Sequence, residues 1–268
     1  MPAFAPAILA ILLAVLPPPC AQPLGREEIL NPAFTLKRHE LVGLAEGAPA
    51  EARQRILEAP RDLLDLLLRV MNGPQDLLVL VDKTHALARD FEPADLVLLS
   101  RFPLAASRKD LRLKAAALTD LRAMMEAAAK AGAPLVVSSA YRSYDYQETL
   151  FENTLRAKGR EQTERELARP GHSQHQLGTA IDFGSIDLAF AKTAAGRWLF
   201  VNASRFGFSL SYPQGEEQVT GYMYEPWHYR YVGKSAAALI DTYFSGRQQS
   251  FLSWYHEERA YLEAHRKK

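Results

Sequence analysis

Two short stretches hold the side chains whose types and spacing could do chemistry. In SQHQLGTAIDF (Ser173–Phe183), His175 and Asp182 stand seven residues apart with mostly small or apolar residues between them. In EPWHYRYVG (Glu225–Gly233), Glu225 and His228 stand three apart. An imidazole near a carboxylate is either a satisfied core pair or part of a metal centre. A catalytic zinc takes three protein ligands from His, Asp or Glu and keeps one position for water. Taken alone, the first stretch favours the core pair. No HExxH helix is present, so that route to zinc is closed.

The second stretch shifts the balance. Residues three apart share a face on a helix, but Pro226 and the aromatic run favour an extended strand. In a regular strand Glu225 and His228 would point to opposite faces. A turn or bulge at Pro226 resolves this, folding Glu225 back over a metal held by His228. The carboxylate then lies near an attacking water without being a ligand, which suits a general base. His175 reaches the same cleft as Asp182 because Gly178 lets the backbone turn. Arg142, in SAYRSYDYQ, follows a strand end. It is either a surface ion pair or a guanidinium that stabilises a developing oxyanion, and a metal cleft beside it favours the second. Among the other histidines, His39, His256 and His265 lie on polar helical segments and read as surface residues, and His85 reads as a structural hydrogen-bond partner.

The elements that must position these groups follow from periodicity. Arg26 to Asn72 is helical, broken at Pro60, and LLDLLLRVM (Leu63–Met71) is a buried helix face. LLVLVD (Leu77–Asp82) reads as a short strand, and Lys83–Pro103 as an extended connection. Asp110–Lys130 is an alanine-rich helix stopped near Gly132 and Pro134. PLVVSS (Pro134–Ser139) is a strand, followed by a helix from Tyr144 to about Lys158. ERELARPGH (Glu164–His172) is a loop into the strand TAIDF. A helix over Ala195–Phe206, the strands FSLSYP and WHYRYV, and helices over Ser235–Phe244 and Ser250–His265 complete the chain. The pattern is α+β, a small, mainly antiparallel sheet with flanking helices.

The 268 residues suffice for one large domain or one domain with helical additions. A net charge of +1 leaves no electrostatic footprint for nucleic acid, and none is expected as a partner. Ala7–Leu16, AILAILLAVL, is an apolar run followed by three prolines. Its length suits the h-region of a signal peptide and is too short to span a bilayer, although no Lys or Arg precedes it. Export to the periplasm or cell envelope is therefore expected. Cys20, the only cysteine, stands where a lipoprotein cysteine would, behind prolines that match such a site poorly. The leader or a lipidated Cys20 is the expected route of any membrane attachment. With no second cysteine, an exported chain must rely on its core or a metal. The expected division is a leader over 1–22, a helical extension over 23–76, a core over 77–234 and C-terminal helices over 235–268, in a monomer.

SAYRSYDYQ, PGHSQHQLGTAIDF and EPWHYRYVG together resemble the three signatures of the VanY-type zinc D-alanyl-D-alanine carboxypeptidases. These belong to a wider group with the VanX dipeptidases, L,D-carboxypeptidases, phage endolysin peptidases and the Hedgehog signalling domain. The likeness runs from about Leu77 to Gly233 and includes LVDKTHALARDFEPADLV. It implies a Hedgehog/D-Ala-D-Ala peptidase-like fold and one zinc per chain, held by His175, Asp182 and His228. It implies Glu225 as general base, Arg142 as stabiliser of the tetrahedral intermediate, and Gln147 and Ser173 as substrate contacts, with His172 outside the ligand set. The implied activity is removal of the terminal D-alanine from peptidoglycan stem peptides. An L,D-carboxypeptidase, a cell-wall endopeptidase and a zinc-stabilised binding module are the alternatives. Glu225 and Arg142 argue against the last, because a structural zinc needs neither.

Overall fold

The structure, a computed structural model, describes residues 29–267, so the leader reading and Cys20 lie outside the described residues. In chain order the helices are α1 (Arg38–Glu46), α2 (Ala50–Glu58), α3 (Pro60–Asn72), α4 (Ala115–Lys130) and α5 (Tyr144–Lys158). They continue with α6 (Arg160–Glu166), α7 (Ala194–Asn202), α8 (Glu217–Thr220), α9 (Lys234–Phe244) and α10 (Gln248–Ala264). The strands are β1 (Leu96–Leu98), β2 (Arg112–Lys114), β3 (Val137–Ser139), β4 (Ala180–Phe183), β5 (Phe208–Leu210) and β6 (His228–Tyr231).

Two large hydrophobic cores divide the work, beside a small cluster of Ala168, Tyr212 and Tyr222. The first joins the N-terminal helices to α9 and α10. Pro60 opens α3 at a position where a missing N–H costs nothing. Behind it Leu63, Leu67 and Val70 recur at helical spacing and are buried with Ile240, Phe251 and Trp254. Leu67 is fully buried, so Leu67→Ala would cost about 2–5 kcal/mol. Trp254 Nε1–H donates to the Leu44 carbonyl at 2.9 Å, tying α10 to α1.

The second core lies under a four-stranded antiparallel sheet of order β3-β4-β6-β5. Side chains alternate across a sheet. Ile181, Phe183, Tyr229 and Tyr231 therefore pack on Leu121 and Met124 of α4. The other face carries Asp182 and His228, which the β4–β6 register sets directly opposite each other. A slip of β4 against β6 by one residue would turn one of the two into the apolar core.

Several boundaries differ from the sequence reading. LLVLVD is not a strand: Gln75–Leu78 is a 3₁₀ turn, and the chain beyond it makes no ladder. The carbonyls of Leu77 and Val79 instead accept from the fully buried Arg230 guanidinium, each at 2.8 Å. Within the extended Lys83–Pro103 connection, Leu96–Leu98 pairs as β1 with β2, and Leu99–Arg101 is a 3₁₀ turn. That pairing takes Arg112–Lys114 out of the expected helix, which starts at Ala115. Part of the expected loop before His172 is helical, as α6.

Candidate active site

Four local structures deliver the candidate side chains to one place. Asp182 and His228 stand opposite each other on β4 and β6. His175 lies on a 3₁₀ turn, Gln174–Leu177, that Gly178 ends at φ 69°. Other residues rarely adopt that conformation, and a Cβ there would come within 2.7 Å of Leu96. Glu225 precedes the turn expected at Pro226: the His228 N–H donates back to the Glu225 carbonyl at 3.1 Å, which brings the Glu225 side chain over His228. The segment after β3 supplies Arg142, whose N–H donates to the His175 carbonyl at 3.2 Å. One residue later Ser143 caps α5, its hydroxyl accepting the Tyr146 N–H, so Arg142 is held between a strand end and a helix start.

The geometry is that of converging donors. His175 Nε2 lies 3.2 Å from Asp182 Oδ2, and His228 Nδ1 lies 3.1 Å from Asp182 Oδ1. One ligand atom from each of the three residues falls within 4.8 Å of the others. Exposure is 0% for His175, 4% for Asp182, 4% for His228 and 8% for Glu225. Although the distances are short, His175 Nε2 and Asp182 Oδ1 are buried without a hydrogen-bond partner. A buried unpaired polar atom costs about 1–3 kcal/mol. Two of them aimed at a shared point fit a cation that the structure's own donors do not replace. Two imidazoles and a carboxylate are also the donor types that suit zinc.

Electrostatics agree with that fit. Burial, then the Arg142 charge, pushes His175 down to about 4, so it is neutral near pH 7 and offers a lone pair. Its tautomer is set as well, because Nδ1 faces the Ala140 carbonyl at 2.6 Å and leaves Nε2 for the site. Burial raises Asp182, but the imidazoles of His175 and His228 outweigh this and hold it well below the usual carboxylate range. Burial, then the Asp182 charge, pushes Glu225 well above its usual range, while Arg142 draws it back. Glu225 Oε2 lies 3.4 Å from His228 Nδ1. The two carboxyls thus differ sharply in proton affinity, a pattern that separates a ligand from a proton carrier.

Asp182, His228, Glu225 and Arg142 line one cleft of about 650 Å³. A larger cavity of about 850 Å³ lies against Phe208, Leu210 and Tyr229 on the opposite face of the sheet. Its Arg247 is already paired with Glu216 at 2.9 Å, and among the described residues the metal-type cluster opens into the smaller cleft, which is therefore the candidate site.

Gln147 and Ser173 stand apart from this wall. Gln147 is fully buried, with Nε2 donating to the Ala168 carbonyl at 2.6 Å. The buried Ser173 hydroxyl accepts the His175 N–H at 3.3 Å. Neither lines the cleft, and both hold the loop that carries His175. His172 also stays outside the cluster, its Nδ1 2.7 Å from the Asp82 carbonyl. His85, as expected, is a structural partner, bonded to the Asp82 carboxylate at 2.9 Å. The sequence reading missed Gln174, whose Oε1 faces His228 Nε2 at 3.3 Å. Its position beside His175 was the only signal.

Comparison with known proteins agrees with the site. The family model for VanY, D-alanyl-D-alanine carboxypeptidase, matches residues 110–234. The putative carboxypeptidase YodJ of Bacillus subtilis is 39% identical over 180 residues, covering 65% of this chain and 66% of that relative's length. Two solved structures are similar. The LdcB LD-carboxypeptidase is 36% identical, with a TM-score of 0.61 over 66% of this chain and 86% of that one. The vancomycin-resistance D,D-pentapeptidase VanY of a VanB-type cassette, solved with Zn(II), is 30% identical, with a TM-score of 0.56 over 66% and 99%. Sheet, cluster and sequence point the same way, and the chain belongs to the VanY family of D-alanyl-D-alanine carboxypeptidases.

Proposed function

We propose that the chain is a zinc carboxypeptidase that releases the terminal D-alanine from peptidoglycan stem peptides. The observation that carries this reading is the buried His175–Asp182–His228 cluster, with the Glu225 carboxyl against it at the wall of an open cleft. Those three side chains would hold the metal. Bound zinc supplies Lewis acidity, making water a nucleophile near neutral pH and drawing charge from a carbonyl oxygen.

The chain's own residues do the rest. Glu225 accepts a proton from the attacking water and returns it to the departing amine. Its raised proton affinity suits a group that must hold that proton between two steps. Arg142 faces the same cleft with its buried Nε unpartnered, free to donate to an oxygen that gains charge during attack. Tyr146, Ile186 and Leu188 are exposed along the cleft and offer apolar surface to a peptide.

A second reading, L,D-carboxypeptidase, is favoured by the higher identity to LdcB than to VanY. Either substrate lies outside the cytoplasmic membrane, so the reading includes export through the leader and a monomer working in the cell envelope. Among the described residues no helix is long and apolar enough to cross a membrane. Incubation with pentapeptide and tetrapeptide stems, followed by mass spectrometry, tests the proposal. Loss of one alanine from the pentapeptide alone is expected. Trimming of the tetrapeptide would make it an L,D enzyme, internal cuts an endopeptidase, and no cleavage with zinc bound a binding module.

A further inference from the structure

A histidine that binds a metal through one ring nitrogen carries its proton on the other, and the partner of that N–H fixes the tautomer. In His228, Nδ1 is the nitrogen turned to Asp182 and Glu225, so Nε2 must donate. Its partner is Gln174 Oε1 at 3.3 Å. An amide carries an acceptor at one corner and donors at the other, so Gln174 offers its oxygen only if something holds it that way round.

A chain of buried hydrogen bonds does so. Gln174 Nε2 donates to Gln248 Oε1 at 3.4 Å, and Gln248 Nε2 donates to the Ser209 carbonyl at 3.0 Å. A backbone carbonyl can only accept. It therefore draws the Gln248 NH₂ to itself, which turns Gln248 Oε1 towards Gln174. That oxygen in turn takes the Gln174 NH₂, leaving Gln174 Oε1 for His228. The Ser211 hydroxyl adds a second donor to Gln174 Oε1 at 2.7 Å. Gln174 is 2% exposed, Gln248 0% and Ser211 1%, so no bulk water competes for these bonds.

We infer that Gln248, the first residue of α10, is a positioning residue for the metal centre: through Gln174 it fixes the His228 tautomer that leaves Nδ1 to bind the metal. The C-terminal helix, outside residues 110–234 that match the family, thereby becomes part of the scaffold of the site. This rests on the ligand role proposed above for His228.

The test measures zinc affinity of the full chain by competition with a chelating indicator. It compares wild type, Gln174→Met, Gln248→Met and the double variant, with the unfolding midpoint of each metal-free chain alongside. Gln174→Met is expected to weaken zinc binding about 10–100-fold, the usual cost of removing a ligand's outer partner. Gln248→Met is expected to weaken it as well. The double variant should be no worse than Gln174→Met, because both substitutions cut the same chain of bonds. Gln174→Glu, which still offers Nε2–H an acceptor, should retain more affinity than Gln174→Met. Unchanged zinc affinity in Gln248→Met, or losses that add in the double variant, would overturn the inference. A wild-type chain that takes up no zinc would instead sink the metal reading beneath it. Should Gln248→Met fail to fold, ¹⁵N NMR of the zinc-loaded wild type decides. A proton on His228 Nε2 that exchanges slowly with solvent supports the relay, and metal on Nε2, or a rapidly exchanging proton there, refutes it.

Discussion

Glu225→Gln tests the proposed proton carrier separately from the proposed metal ligands. The substitution keeps the shape of the side chain and removes its ability to take a proton. The local backbone does not depend on the carboxylate: the Glu225 N–H donates to the Tyr212 carbonyl and its carbonyl accepts from the His228 N–H, both at 3.1 Å. The turn should therefore survive. Loss of a general base lowers turnover by about 10²–10⁴, equivalent to about 3–5 kcal/mol of transition-state stabilisation. Stability should move the other way or not at all. Glu225 is buried beside the Asp182 carboxylate, and both effects disfavour its ionised form. A neutral amide removes that repulsion, so the metal-free variant should unfold at a temperature no lower than wild type. The assay is D-alanine release from a pentapeptide stem, read with zinc content by mass spectrometry and with thermal unfolding. The expected result is one zinc per chain, an intact fold and turnover down at least about a hundredfold. Wild-type turnover would refute the base assignment, and loss of zinc would make Glu225 a ligand.

Other outcomes follow from the same geometry. His175→Ala, Asp182→Ala and His228→Ala should each abolish stoichiometric zinc, whereas His172→Ala should keep it, since His172 is bonded to the Asp82 carbonyl and not to the cluster; metal analysis of the purified variants checks both. Arg142→Ala should lower kcat about 10²–10³-fold with the fold preserved, the range for losing one donor to a developing oxyanion, as steady-state kinetics would show. Asp82 governs an acid limb of stability: burial raises its carboxyl, but hydrogen bonds from Thr84 and His85 bring it from 3.8 down to about 2. A folded-state value below the unfolded one stabilises above the unfolded pKa. That contribution, about 1–2 kcal/mol after allowing for partial exposure, should fade as pH falls from about 4 through about 2. Urea unfolding of wild type and Asp82→Asn across that range should converge at the acid end, and a constant gap would refute it.

Residue type and short-range spacing made much of the site legible in the sequence. SQHQLGTAIDF and EPWHYRYVG contain the whole converging cluster and Glu225, because a turn, a strand and a second turn each act over a few residues. The helix over Tyr144–Lys158 was equally readable, and the structure adds its Ser143 cap. LLVLVD was misread because apolar patterning cannot tell a ladder from any other buried segment. Its carbonyls go to Arg230, 153 residues from Leu77, and no local signal announces that. The β1–β2 pairing, which shortened α4, likewise joins segments that the sequence patterning read as a connection and as the start of a helix. Only the tertiary structure decided the register that sets Asp182 opposite His228, the ring nitrogen each histidine turns to the site, and the reach of Gln248 to Gln174 across 74 residues. Local sequence selects which atoms can do the chemistry. Hydrogen bonds closed over long loops decide which way those atoms point, because a buried donor must find an acceptor wherever the folded chain supplies one.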